Sequence, residues 1–143
     1  MNIGFDWENL KIRGLITPDE ESLWTGYFEE EEKAKMKRAS LEDCKPVLSR
    51  RLAEARQEAK ALRAEGPRLL MEFALSGDRK ALAHQRASLR ALDEIIVDCE
   101  AALSAVSQKI EHGFTGIFSR ANLARTKIQG RTLKYEQDQA KKN

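Results

Sequence analysis

The stretch RKALAHQRASLRALDEIIVDCEAALSAVSQKIEH, residues 79–112, decides the fold. Leu82, Gln85, Leu89, Leu92, Ile96, Cys99, Leu103, Val106 and Ile110 recur in it at steps of three and four without a slip. That is the period of a helix whose one face is covered along its whole length. Gln85 is the single polar member. Ala81, Ala87, Ala91, Ala101, Ala102 and Ala105 flank the seam, and side chains this small let a partner helix approach closely.

The partner lies just upstream. After Pro46, the residues Leu48, Leu52, Ala55, Ala59, Leu62, Gly66, Leu69 and Phe73 alternate steps of four and three, a second heptad seam. Gly66-Pro67 interrupts it, and because Pro67 removes an amide and crowds the preceding turn, a kink or short break is expected there. Ser76-Gly77-Asp78 then supplies a C′ glycine followed at once by an N-cap aspartate. So short a link makes the two helices antiparallel. Burial along one seam does not offset the conformational entropy of ordering an arm this long. Further cover must come from the terminal helices or from other subunits. Leu70, Met71, Leu75, Ile95 and Val97 lie off the seam, where such cover would go.

Upstream of the hairpin, residues 1–16 mix Ile3, Phe5, Trp7, Leu10, Ile12, Leu15 and Ile16 with Gly4 and Gly14 in no helical period, and read as an irregular arm. Thr17-Pro18-Asp19-Glu20 is a capping box with proline at N1, so a helix is expected over about 18–39. In it Glu29 faces Lys33 and Glu31 faces Lys35 at i,i+4 spacing, and residues 29–32 read as a solvated acidic face. Ser40, Asp43 and Pro46 mark a break over 40–46. Downstream, Gly113-Phe114-Thr115-Gly116 ends the second arm. Ser119 can cap a last helix over about 120–139, weakened near Gly130 and fraying into Lys141 and Lys142. The expected architecture is all-α: an acidic, aromatic-rich N-terminal arm and helix (1–45), an antiparallel coiled-coil hairpin (46–112), and a basic C-terminal helix and tail (113–143).

The chain has 143 residues, enough for one modest core. Its formal net charge is +2, too small for attraction to nucleic acid or membrane as a whole, so the placement of charge carries the argument. Residues 1–32 hold nine acids against Lys11 and Arg13, whereas from Gly113 onward seven bases stand against Glu136 and Asp138. Opposed ends suit head-to-tail contact, which builds rings or filaments. No stretch has the composition of a signal peptide or a membrane span, so a cytoplasmic protein is expected. Cys44 and Cys99 are 55 positions apart, and Cys99 sits on the seam, so reduced thiols are expected.

Catalytic chemistry finds little foothold. His84 and His112 stand 28 residues apart without a metal-ligand pattern, and the plentiful carboxylates lack the concave wall that would set their environments apart. Gly113 to Gly116 is no phosphate loop, having neither a preceding strand nor a following Gly-Lys-Ser/Thr. No enzyme activity, cofactor, metal or small-molecule substrate is expected. Leu23, Trp24, Tyr27 and Phe28 share one helical face, and with Phe5 and Trp7 they gather aromatic side chains near the N-terminus. Packing onto the hairpin is the plainer reading; an anchor for a partner, with acids around it, is the sharper one. Arg120, Lys127, Arg131 and Lys134 lie broadly along one side of the last helix and could meet phosphate or protein carboxylates.

These readings converge on a structural or assembly protein that joins other protein subunits, in a homo- or hetero-oligomer, by its helical faces and charged termini. A tailed-phage virion component, in the head or at the head-to-tail junction, is the preferred setting, by analogy of texture. A nucleic-acid-associated regulator using the basic C-terminal helix is the alternative, and a coiled-coil adaptor or chaperone of a secretion or motor ATPase a further one.

Overall fold

A computed structural model describes residues 4–142, so Ile3 of the N-terminal arm lies outside them. Among the described residues five helices follow one another: α1 (Trp7–Ile12), α2 (Pro18–Ala64), α3 (Gly66–Ser76), α4 (Lys80–His112) and α5 (Thr115–Lys142). The fold is all-α, with long helices packed as an antiparallel hairpin. No described helix is long and apolar enough to cross a membrane. The chain divides into two compact units, one formed by Ser40–Ile110 and the other by the residues up to Ala39 together with those from Glu111 onward.

The hairpin unit follows its heptads. Every apolar residue of the two seams is buried or half-buried: Leu48, Leu52, Leu62, Leu69 and Phe73 on one arm, Leu82, Leu89, Leu92, Ile96, Leu103, Val106 and Ile110 on the other. Ala55 and Ala59 of α2 are wholly buried beside Leu92, with Leu62, Leu89, Ile95 and Ile96 packed around them. The residues that bring the backbones close are thus these two alanines. Ala81, Ala87, Ala91, Ala101 and Ala105 stand exposed on α4, and only Ala102 is half-buried. Ile95, expected off the seam, is half-buried against the core.

Pro67 breaks the first arm as its chemistry requires, α2 stopping at Ala64 and α3 starting at Gly66. Gln85 answers that break: its Nε2 donates to the Leu62 carbonyl at 2.6 Å, where the regular ladder is failing. The polar member of the seam therefore binds backbone rather than filling a gap. At the turn, Gly77 takes the left-handed conformation (φ 73°) and donates to the Phe73 carbonyl, while Asp78 accepts from the Lys80 amide.

Three expectations about element boundaries are corrected. The break over 40–46 is absent, because α2 runs unbroken with Pro46 inside it. Pro46 and Glu42 are both exposed, so the carbonyl that loses its amide partner lies on the solvent side of the helix. The N-terminal arm contains α1, capped by Asp6, whose carboxylate accepts from the Asn9 amide at 3.2 Å. It ends in a Schellman turn: Gly14 (φ 72°) donates to Lys11 and Leu15 to Leu10, and the Leu10 and Leu15 side chains join the same core. Finally, α5 begins at Thr115 rather than after Ser119 and passes Gly116 and Gly130 without a break. Ala121, Ala124 and Ile128 bury its inner face, and that packing outweighs the cost of about 1 kcal/mol for each helical glycine.

Candidate interaction site

The second unit is built where the acidic and basic ends of the sequence meet. Its core joins Leu10, Ile16, Trp24, Phe28, Ala121, Ala124 and Ile128, with Phe5, Trp7, Leu15 and Tyr27 packed against it. Phe28 is wholly buried, and Phe5 stacks on it at 5.7 Å between ring centroids. The capping box of α2 forms as its sequence requires: the Thr17 amide donates to Glu20 at 3.0 Å, and the Glu20 amide to the Thr17 hydroxyl at 3.1 Å.

Three arginines of α5 each serve one ring and one carboxylate of α2. Arg131 lies over Trp24 at 5.2 Å and pairs with Glu20 at 2.9 Å, donating also to the Leu15 carbonyl. Arg125 lies over Phe28 at 5.1 Å and pairs with Glu31. Arg120 lies over Tyr27 at 5.8 Å and pairs with Glu30 at 3.4 Å. From Arg131 back to Arg120 the partners move from Glu20 and Trp24 on to positions 27–31, so α5 runs antiparallel to α2 along this contact. Glu31 is 3% exposed, which corrects the expectation that residues 29–32 form a solvated face. Lys35 approaches both Glu31 and Glu32. Neighbouring groups leave their mark on titration. Burial pushes the Glu20 carboxyl up, but the Thr17 amide and Arg131 outweigh it and hold the group below its ordinary value. Glu21 and Glu8, each 2.7 Å from the Lys11 ammonium, hold that group above its ordinary value.

Most of the residues weighed as partner contacts are engaged within one chain. Trp24 and Phe28 are buried, Trp7, Tyr27 and Arg131 half-buried, and Arg120 exposed but paired. Leu23, read on the same face as the rings, stands 52% exposed. Lys127 and Lys134 differ: both are exposed, and among the described residues neither forms an ion pair.

The surface left open lies in the hairpin unit, on α3 and α4. The inner side of α3 is covered through Leu69 and Phe73, yet Pro67, Leu70, Met71, Ala74 and Leu75 on its other side are all exposed. Apart from Arg68 and Glu72, which pair with each other at 2.8 Å, the outer side of this short helix is apolar, and such a face favours being covered. Beside it a groove of about 400 Å³ runs along α4, lined by Leu70, Phe73, Leu82 and Ala83 and edged by Arg79, Arg86 and Arg90. Further along α4, Val97 projects between Asp93, Glu94 and Asp98. The off-seam positions Leu70, Met71, Leu75 and Val97 are legible in the sequence, whereas the charge around them gains meaning only once α3 and α4 lie side by side.

Among the described residues no three His, Cys, Asp or Glu side chains gather as a metal site. Cys44 is exposed and Cys99 buried, both as free thiols. Compared with protein families, curated proteins and solved structures, the chain matches none.

Proposed function

We propose that the chain is a non-enzymatic assembly protein that docks into a larger complex of protein subunits through the open face of α3. The observation that carries this reading is the exposure of Leu70, Met71 and Leu75 together on a helix whose other side already packs on the hairpin. Isolated apolar residues on a surface are ordinary, but a continuous face at the turn of a hairpin favours an interface. The opposed termini contribute little to such docking, because Arg120, Arg125 and Arg131 pair with glutamates of their own chain. The setting we propose is a tailed-phage particle, with the protein made in the cytoplasm and carried into the virion. The cysteine-poor helical hairpin with charged ends supports it by texture.

The test is sedimentation of the chain from the cells that produce it. The wild-type chain should travel in a complex well above twice its 16.2 kDa mass. The Leu70→Ser, Met71→Ser, Leu75→Ser variant should keep its helicity by circular dichroism and leave that complex. A variant that stays in the complex refutes docking through α3.

A specific feature of α5 favours a second reading. Lys127, Lys134 and Lys141 follow one another at steps of seven on its outer side, exposed, and form no ion pair among the described residues. Such a row suits contact with a phosphate backbone, and a falling affinity for a DNA fragment as salt rises, flattened by Lys127→Glu and Lys134→Glu, would support it.

A further inference from the structure

Opposite its covered seam, α4 carries a second register. Ala83, Ala87, Arg90, Glu94, Val97 and Ala101 recur at steps of four and three, and all are exposed, Val97 by 63%. The charges on this flank are sorted into two blocks, with Arg90 and Glu94 four residues apart at their boundary. Arg86 and Arg90 are like charges four residues apart, and so are Glu94 and Asp98. None of the four forms an ion pair among the described residues, although the hairpin's other long-range pairs are made, Arg63 with Asp93 at 2.8 Å and Arg56 with Glu100 at 3.0 Å. One helix thus holds a block of open cations beside an apolar groove, and one turn further on a block of open anions around an apolar knob.

We propose that this flank of α4 pairs with the same flank of a second copy of the chain, antiparallel, about a two-fold axis beside residue 92. Groove and knob then meet reciprocally. Arg90 faces Glu94 of the second copy while Glu94 faces its Arg90, Ala87 faces Val97, and Ala83 faces Ala101. Val97 enters between Arg86 and Arg90, onto Ala83 and Ala87, so its acidic neighbours reach the arginine rim. An isologous contact requires that residue i meet j and j meet i, and this register satisfies it at each layer. The parallel alternative sets Arg90 on Arg90 and Glu94 on Glu94, so charge selects the antiparallel pair. The pairing rests on the reading that the chain works by docking through helical faces, but it uses the flank of α4 and the groove edge at Leu70 rather than the outer side of α3 at Met71 and Leu75.

Charge swapping tests it on the full chain. By light scattering, wild type should have twice the 16.2 kDa mass of one chain. Arg86→Glu with Arg90→Glu should raise the dimer dissociation constant at least about tenfold, and so should Glu94→Arg with Asp98→Arg. An equimolar mixture of the two variants should recover a dimer containing one of each, because every contact is again between opposite charges. A wild-type chain that is monomeric at about 100 µM overturns the proposal, whatever other acidic protein the arginines hold. A swapped variant of unchanged mass, or a mixture that stays monomeric, overturns it as well. Ala87→Cys with Val97→Cys, in a Cys44→Ser chain, gives a readout that does not depend on the charge variants folding. The two positions are about 15 Å apart along one helix, so oxidation should cross-link chains, and failure to do so also overturns the proposal. A Met71→Ser, Leu75→Ser variant, which leaves Leu70 of the groove unchanged, should keep the dimer while leaving the larger complex, which separates failure of this inference from failure of the docking reading.

Discussion

The hairpin unit and the unit formed by the chain ends are both helical, but they are held by different means. In the hairpin one chemistry repeats: small and aliphatic side chains at heptad spacing, with Ala55 and Ala59 wholly buried. Its long-range ion pairs, Arg56 with Glu100 and Arg63 with Asp93, join side chains that are about half exposed, where such pairs contribute about 0–1 kcal/mol each. In the other unit a few large groups do the holding. Phe28 is wholly buried under Arg125, and Glu31 is buried as the partner of that arginine. Repetition spreads stability over many weak layers, whereas the aromatic and arginine set concentrates it. The first is therefore sensitive to backbone spacing, and the second to loss of a single ring.

The largest effect should come from removing that ring. Phe28→Ala should cost about 3–5 kcal/mol, because the cavity is closed on all sides and Arg125 loses the face it lies over. Amide exchange followed along the chain reads the two units separately. Protection should fall through α1 and α5 while the hairpin between residues 85 and 105 keeps most of its own. Equal loss in both would show that the two units unfold together and would break the comparison.

A smaller effect should follow from spoiling the hairpin's spacing. Ala59→Leu adds volume where none is free and should cost about 1–3 kcal/mol, read from thermal melting. Ala61→Leu, two residues away on the exposed side, should change stability by less than about 0.5 kcal/mol. If the two behave alike, the close approach at Ala59 does not matter.

The same contrast explains what the sequence could disclose. Heptad spacing is local, so Leu82 to Ile110 could be assigned to a seam without knowing their partner. The Thr17 and Glu20 capping box and the Gly77 turn are likewise complete within four residues. The arginine set is not local: Arg125 meets Glu31 across 94 positions and Arg131 meets Glu20 across 111. Glu31 stands three residues after Phe28 and seven after Trp24, on the aromatic face, so its burial was legible in the spacing, although its partner Arg125 was not. Pro46 misled, since its local cost is real but its exposed position in a long packed helix lets the chain absorb it. Asp6 could have been found, because an aspartate three residues before Asn9 is an ordinary cap; the six-residue helix it starts is too short to show a period.

The smallest effect concerns Glu20, which belongs both to the local capping box and to the distant pairing with Arg131. Glu20→Gln separates the two roles, since glutamine can still accept from the Thr17 amide but carries no charge for Arg131. At neutral pH the variant should be less stable by about 1 kcal/mol or less, the range for a pair that solvent partly reaches. The sign of the pH dependence follows from the held-down carboxyl. Unfolded, Glu20 protonates around its ordinary value of 4.5, and folded it does so lower. Its contribution is therefore complete above 4.5 and is lost as pH falls from there through the folded value. The melting-temperature gap between wild type and Glu20→Gln should stay constant from neutral pH to about 5, then narrow and close. Lys11 does not disturb this scan: its raised value makes its contribution complete below 10.5 and lost only as pH rises above that. A gap that persists unchanged well below the ordinary carboxylate value would mean that the charge on Glu20 adds nothing, and that the cap alone joins the start of α2 to its surroundings.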